Sequence, residues 1–399
     1  MSIIVGVGSS REKDSYQAGY EACKKALEGL HGQKPDLTIA FASSSFDQKE
    51  LVRGIRQTNG TTPLVGCTSA GEITNEGPVQ KSVGVMTIAS DQISFTTGLA
   101  KITGANAHQA GQAVAGEIKA KAPEPFSTLI MLPDVLTGNG ADSVRGILEI
   151  LGAHFPVVGG APGDDFLFEK TYEYRDDTVE TGAIAGIGIS GKFSMGVGVR
   201  HGWIPIGMPM QVTKSKGAVV YELDHRPAIS LYEDYFGQKA EELRKEPLAQ
   251  MAITYPLGIK VPDIDEYLIR DPITVDEKGA ITCAAEIPEG SEVRLMIGSK
   301  DKAIEAAQDA ARKLMKDFEA AGSKPKFTLM FNCIAREKLF SQQAGDEIRA
   351  VMDIIGKDVP LLGFYTYGEQ APMRGEIRDT EKINTRFYNE TVVLFAVGE

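Results

Sequence analysis

Leu37-Thr38-Ile39-Ala40-Phe41-Ala42, Leu51-Val52-Arg53-Gly54-Ile55 and Pro63-Leu64-Val65-Gly66 make a three-part pattern that the chain uses twice more. The second copy runs Thr128-Leu129-Ile130-Met131-Leu132, Val144-Arg145-Gly146-Ile147 and Pro156-Val157-Val158-Gly159. The third runs Phe327-Thr328-Leu329-Met330-Phe331, Ile348-Arg349-Ala350-Val351 and Pro360-Leu361-Leu362-Gly363. Each copy opens on a short continuous apolar run, the pattern of a strand buried on both faces. Apolar residues at helical spacing follow, with the Arg on the opposite side in each copy. Pro, two aliphatics and Gly then read as a second strand stopped by a turn. Proline is tolerated there because the first position of a strand needs no central ladder donor.

The flanks of the copies recur as well. Asp14 is placed to cap a helix carrying Tyr16, Tyr20, Cys23, Leu27 and Leu30 on one face. Residues 105–121 and 301–321 occupy the corresponding places, the latter stopped by Gly322 and Pro325. Strand-like runs follow each copy at 82–90, 182–190 and 391–397. The expected fold is therefore α/β: mixed β-sheets flanked by helices, built from recurring β-α-β-α-β-β units. Residues 193–295 interrupt the pattern with a hairpin-rich insertion, including a helix from Ala228 to Phe236 and irregular chain from Pro256 to Pro272. At 399 residues the chain suits two or three domains, and the junction is placed near residue 221, giving 1–220 and 221–399.

A formal charge of -12 opposes phosphate backbones and anionic lipid, and no basic cluster with interleaved aromatics offsets it. The expectation is no nucleic acid and no membrane insertion, since the apolar runs fall far short of the ~20 residues that a membrane helix needs. Cys23, Cys67, Cys283 and Cys333 are far apart and have no zinc-like spacing, so reduced thiols in a cytoplasmic protein are expected, with no metal and no cofactor.

The residues that could carry chemistry follow the strand-ending glycines. Gly66-Cys67-Thr68-Ser69-Ala70-Gly71-Glu72 and Gly363-Phe364-Tyr365-Thr366-Tyr367-Gly368-Glu369 place an acid six positions on, and Gly159-Gly160-Ala161-Pro162-Gly163-Asp164-Asp165 is a modified version. Glycine allows close backbone approach, and ligands of α/β sheets collect outside the carboxyl ends of strands. The same residues also suit plain turns and caps. Ser43-Ser44-Ser45, Asp134 and Asn332-Cys333 lie at the other strand ends, with Arg336 beyond them suited to a carboxylate or to a salt bridge. Cys67 and Cys333 could present a nucleophile only with a base nearby, and the five histidines lie outside these turns. Gly186-Ile187-Gly188-Ile189-Ser190-Gly191 fits GxGxxG but leads into another strand-like run, so it reads as a hairpin.

These turns, with His201-Gly202-Trp203-Ile204-Pro205-Ile206-Gly207, Phe331-Asn332-Cys333-Ile334-Ala335-Arg336 and the tail from Asn389 to Phe395, resemble the N- and C-terminal FIST domain pair over nearly the whole chain. The resemblance implies a sensory and signal-transduction role, with amino acids among the small ligands. It also implies output through a separately encoded signalling protein, because 399 residues leave no room for a fused output domain. The expected ligand site comprises Cys67, Thr68, Ser69, Glu72, Asn332, Cys333, Arg336, Tyr365, Tyr367 and Glu369, with no catalytic residue. Two other readings stand beside it. One is an enzyme using strand-end Cys and Glu residues; the other is a protein-interaction scaffold anchored on Phe364, Tyr365 and Tyr367.

Overall fold

The computed structural model describes residues 3–103, 105–245, 250–261 and 266–399. Three six-stranded sheets correspond to the three sequence copies. The first is built from Ile4–Ser10, Val83–Ala89, Leu37–Ser43 and Leu64–Ser69, and the second from Ile93–Lys101, Ala183–Gly191, Phe126–Pro133 and Val157–Gly160. Ser194–Arg200, Val392–Gly398, Pro325–Cys333 and Leu361–Thr366 build the third. In each, the two strands named in the sequence pattern run parallel, as a strand–helix–strand crossover requires.

Each sheet is completed by a neighbour. Glu72–Thr74 and Gly77–Val79 leave the first unit and join the third sheet. Glu369–Pro372 and Thr385–Tyr388 leave the third unit for the second sheet, and Glu173–Arg175 and Thr178–Glu180 leave the second for the first. The exchange closes a circle. Lent strands always meet their host at the same register, pairing Glu72 with Phe364, Glu173 with Cys67 and Glu369 with Gly160.

The strand-ending glycine of the sequence pattern has a steric cause. A Cβ at Gly66 would lie 1.9 Å from the Ala40 carbonyl oxygen, at Gly159 2.0 Å from that of Met131, and at Gly363 2.3 Å from that of Met330. Only glycine lets the two parallel strands close up there.

Alternation then sorts the side chains. Ile39, Phe41, Ile130, Leu132, Phe331 and Phe364 face inward with their sheet partners and form one central core shared by all three sheets. Phe41 and Phe331 meet Phe364 with ring centroids 4.3 and 5.9 Å apart. The outer faces are covered by Ser15–Glu28 and Gln48–Asn59, by Ala107–Lys121 and Gly140–Leu151, and by Lys300–Ala321 and Ala344–Ile355. Asp14 caps the first helix as expected, accepting from the Gln17 N–H at 2.9 Å. The buried stripe of that helix is Ala18, Gly19, Ala22, Cys23 and Ala26, however, and Tyr16, Tyr20 and Leu27 sit at its half-buried edges.

Three expectations are corrected. Ser194–Arg200 is not part of the insertion but the first strand of the third sheet, so the insertion enters after it and ends before Lys300–Ala321. Ala183–Gly191 and Ser194–Arg200 are not a hairpin: they pair with different partners in different sheets. The false GxGxxG arises from packing, since a Cβ at Gly188 would lie 2.4 Å from the Ile118 side chain of the covering helix. Finally, part of the stretch expected to be irregular holds paired strands, Leu257–Lys260 and Tyr267–Arg270. They belong to a nine-stranded sheet formed by the insertion, which has its own core around Val212, Tyr232, Leu257 and Leu295.

Candidate functional site

At the carboxyl ends of the parallel strands the three turns lock into a ring of backbone hydrogen bonds. Ala70 N donates to Tyr365 O at 3.0 Å and Tyr365 N to Gly71 O at 2.8 Å. Tyr367 N donates to Ala161 O at 3.0 Å and Ala161 N to Gly368 O at 2.7 Å. Gly163 N and Thr68 N close the circle through Thr68 O at 3.1 Å and Tyr172 O at 2.9 Å.

The first strand of each lent pair begins with a buried glutamate. Glu72 accepts from the Ser69 and Ser82 hydroxyls and from Ser82 N at 3.2 Å. Glu369 accepts from the Thr366 hydroxyl, from Thr391 Oγ1 at 2.6 Å and from Thr391 N at 3.2 Å. Glu173 accepts from Thr171 Oγ1 at 3.2 Å and Ala183 N at 3.0 Å. Among the described residues none of the three has a cationic partner. Burial in that setting pushes Glu72 and Glu369 up to about 8 and lifts Glu173 well above the carboxylate range. Glu72 and Glu369 therefore hold a proton at neutral pH.

Glu173, not Asp165, is the second copy's counterpart. Fourteen positions separate it from Gly159, against six in the other copies, which hid it from a fixed spacing. The extra residues form a loop organised by Asp164. Its carboxylate accepts from Phe168 N at 2.8 Å, Glu169 N at 2.6 Å, Lys170 N at 2.8 Å and the Tyr367 hydroxyl at 2.5 Å. Asp165 accepts from Ser43 Oγ at 2.7 Å and Ser44 Oγ at 2.8 Å.

The residues singled out from sequence lie in or beside this ring, and all are buried: Cys67, Thr68, Ser69, Glu72, Asn332, Cys333, Arg336, Tyr365, Tyr367 and Glu369. Most of their polar groups serve the protein itself, while Asn332 Oδ1 and the Tyr365 hydroxyl are buried without a hydrogen-bond partner among the described residues. Thr68 Oγ1 accepts from Tyr172 N at 3.0 Å. Arg336 donates to Glu347 at 2.9 and 2.5 Å and to Ala303 O at 2.8 Å, and Asn332 Nδ2 donates to the other Glu347 oxygen at 2.8 Å. That is the salt-bridge alternative for Arg336.

Tyr367 stacks on Phe168 at 4.5 Å, and Phe364, Tyr365 and Tyr367 are 0, 0 and 7% exposed, so these rings pack in the core and offer no exposed anchors for a scaffold. Burial lifts Cys67 and Cys333 well above the thiol range, with Glu173 and Glu72 adding to it at Cys67 and Glu369 at Cys333. Neither is poised as a thiolate nucleophile.

Open space lies elsewhere. A cleft of about 970 Å³ runs between Gly140–Leu151, the lent strand Thr385–Tyr388 and the inserted sheet. Its apolar walls include Val144, Leu148, Ile259, Leu268 and Phe387. Arg145, Lys260, Arg270 and Arg386 supply positive charge and Glu149, Glu286, Glu289 and Glu292 negative charge.

Several of these are already engaged. Arg145 grips Glu286 at 2.6 and 3.0 Å, which holds Glu286 below the usual carboxylate range. Arg270 spends its guanidinium on the Glu286, Ile269 and Phe387 carbonyls at 3.0, 2.9 and 3.3 Å, and burial lowers it to about 10. Arg386 is exposed and makes no ion pair among the described residues, and Lys260 only overlies the Tyr267 ring at 5.5 Å. No sequence periodicity marked this cleft, because its walls come from the second unit, the third unit and the insertion. No helix among the described residues is long and apolar enough to cross a membrane, and no metal-binding group of His, Cys, Asp and Glu occurs among them.

Known proteins place the chain in a family. The uncharacterized protein Rv0628c of Mycobacterium tuberculosis is 27% identical over 386 residues, covering 93% of this chain and 95% of the relative. The uncharacterized protein MJ1623 of Methanocaldococcus jannaschii is 26% identical over 303 residues, covering 70% of this chain and 58% of the relative. Among solved structures, a chorismatase aligns over 100% of this chain and 99% of its own at 7% identity, with a TM-score of 0.39 that is too low to carry an argument. The FIST N domain matches residues 36–226 and the FIST C domain residues 228–372, so the chain belongs to the FIST family.

Proposed function

We propose that this FIST protein is a small-ligand sensor whose guest sits in the cleft between the second unit and the inserted sheet. FIST domains are associated with sensing, signal transduction and small-ligand binding. The observation that carries the reading is the composition of that cleft: about 970 Å³ with apolar walls, Arg386 and Lys260 left without ion pairs among the described residues, and glutamates among its lining residues. Opposite charges around an apolar body suit a zwitterion such as an amino acid, its carboxylate read by Arg386 and its ammonium by Glu289 or Glu292.

The acid-bearing turns then serve as the responsive element. Thr385–Tyr388 lines the cleft and is hydrogen-bonded along its length to Glu369–Pro372, so a guest that moves one strand loads the ring containing Thr366, Tyr367, Ser69 and Glu72. A ligand that binds two arrangements of this strand unequally shifts their populations. A separately encoded signalling protein reads that shift in the cytoplasm, where the four unpaired cysteines stay reduced. Nucleic acid and the membrane interior have no part in it.

A thermal-shift screen over amino acids tests the proposal. A binder at about a hundred times its Kd adds about 2.7 kcal/mol of stability, and a tenfold loss of affinity in Arg386→Ala cuts that to about 1.4 kcal/mol. A broad panel of zwitterions with no shift, or a shift that Arg386→Ala keeps in full, defeats it.

A further inference from the structure

Two carboxyl groups meet at the seam where the inserted sheet lies on the third unit. Asp271 follows the strand Tyr267–Arg270 of the insertion and is 2% exposed. Glu390 precedes the last strand of the third sheet and is fully buried, on a left-handed backbone with φ 58°. The two side chains act directly on each other. Neither Glu390 carboxylate oxygen, nor Asp271 Oδ1, has a conventional donor among the described residues.

The neighbouring cations are committed elsewhere. Arg270 is spent on three carbonyls, and Arg336 pairs with Glu347 and gives Glu390 only a contact to its carbonyl oxygen at 3.3 Å. The other titratable groups turned toward the pair are Glu369, Cys333, Cys283 and Tyr232, none of them cationic. Two buried carboxyls in contact, with no cation between them, stay together only while one keeps its proton.

We infer that Asp271 and Glu390 form a proton-held latch that fastens the inserted sheet to the third unit and loosens when both ionise. Arg270, beside Asp271, and Phe387, three residues before Glu390, both line the cleft, so the latch sets how firmly the cleft is closed. That second consequence rests on the cleft being the ligand site; the latch itself does not. Burial lifts Asp271 to about 6 and raises Glu390 well above the usual carboxylate range. Acids raised in this way hold the seam fully below their ordinary values of 3.8 and 4.5, and the hold is lost as pH rises through the raised values.

Hydrogen exchange of the full-length protein without ligand tests the latch. Protection of the amides in Tyr267–Arg270, corrected for intrinsic rates, should fall at least about tenfold in the wild type as pH rises from below the raised value of Asp271, about 6, to above the raised value of Glu390. Glu390→Gln and, independently, Asp271→Asn should hold protection nearly constant over that range. Unchanged wild-type protection across the range overturns the latch, as does a fall of the same size in whichever of the two variants folds. Because no ligand is present, failure here leaves the cleft reading standing. Loss of amino-acid binding in Arg386→Ala with an intact pH response separates the two in the other direction.

Discussion

The ring of turns and the cleft differ in almost every respect that matters for binding. In the ring, all ten residues of the expected ligand site are buried, and Ser69, Thr366, Thr391 and Tyr367 spend their hydroxyls on protein carboxylates. In the cleft, charges of both signs face open volume, and Arg386 has no ion pair among the described residues. Threefold repetition made the ring conspicuous because a shared frame must solve the same packing problem three times. The cleft arises where the repetition breaks, at the insertion, and there the chain is free to build one site of its own.

The largest expected effect lies in the frame. Arg336→Ala strands Glu347, which is fully buried beside it, and should cost about 3–5 kcal/mol in urea unfolding. A loss below about 1 kcal/mol would mean that the buried pair does not hold the third unit together.

Next comes the pH profile of the ring. Glu72 and Glu369 are raised from 4.5 to about 8, so their contribution to stability should be fully present below 4.5 and decline as pH climbs through about 8. Glu72→Gln and Glu369→Gln should each flatten that decline by at least on the order of 1 kcal/mol. A wild-type optimum at alkaline pH contradicts the assignment of buried protonated acids.

The cleft should behave oppositely. Arg386→Ala should weaken an amino-acid ligand about tenfold, or about 1.4 kcal/mol, while changing ligand-free stability by no more than about 0.5 kcal/mol. The smallest effect is a silence: the native protein should resist a thiol reagent at neutral pH, and all four cysteines should react once it is denatured. Rapid labelling of Cys67 or Cys333 in the native state would reopen the nucleophile reading.

Much of the frame was legible from the chain. Apolar runs, helical spacing and the Pro-to-Gly strand endings marked strands and helices in all three units, because burial on both sheet faces writes itself as uninterrupted Val, Ile, Leu and Phe. What the runs could not write was partner choice. Nothing in Glu72-Ile73-Thr74 says that it pairs with Phe364 rather than with its own sheet, since a lent strand keeps the same alternation at home or away.

Glu173 escaped because the second turn grew longer, although Thr171-Tyr172-Glu173 keeps a hydroxyl beside the acid that it serves. The insertion's shortest strands, Leu257–Lys260, Tyr267–Arg270 and Ile281–Cys283, escaped for want of length, at three or four residues where a periodic signal needs more. Arg386 and Lys260 escaped for another reason. A lone exposed cation has no neighbour in sequence that reveals what faces it across a gap.

The most direct test is a crystal structure with the tightest-binding amino acid from the thermal-shift screen. Density for the ligand against Arg386 and Lys260, between Gly140–Leu151 and the inserted sheet, is the predicted result. Density seated instead among Ser69, Glu72, Thr366 and Glu369, with the ring's backbone bonds opened to admit it, would contradict the division between frame and site.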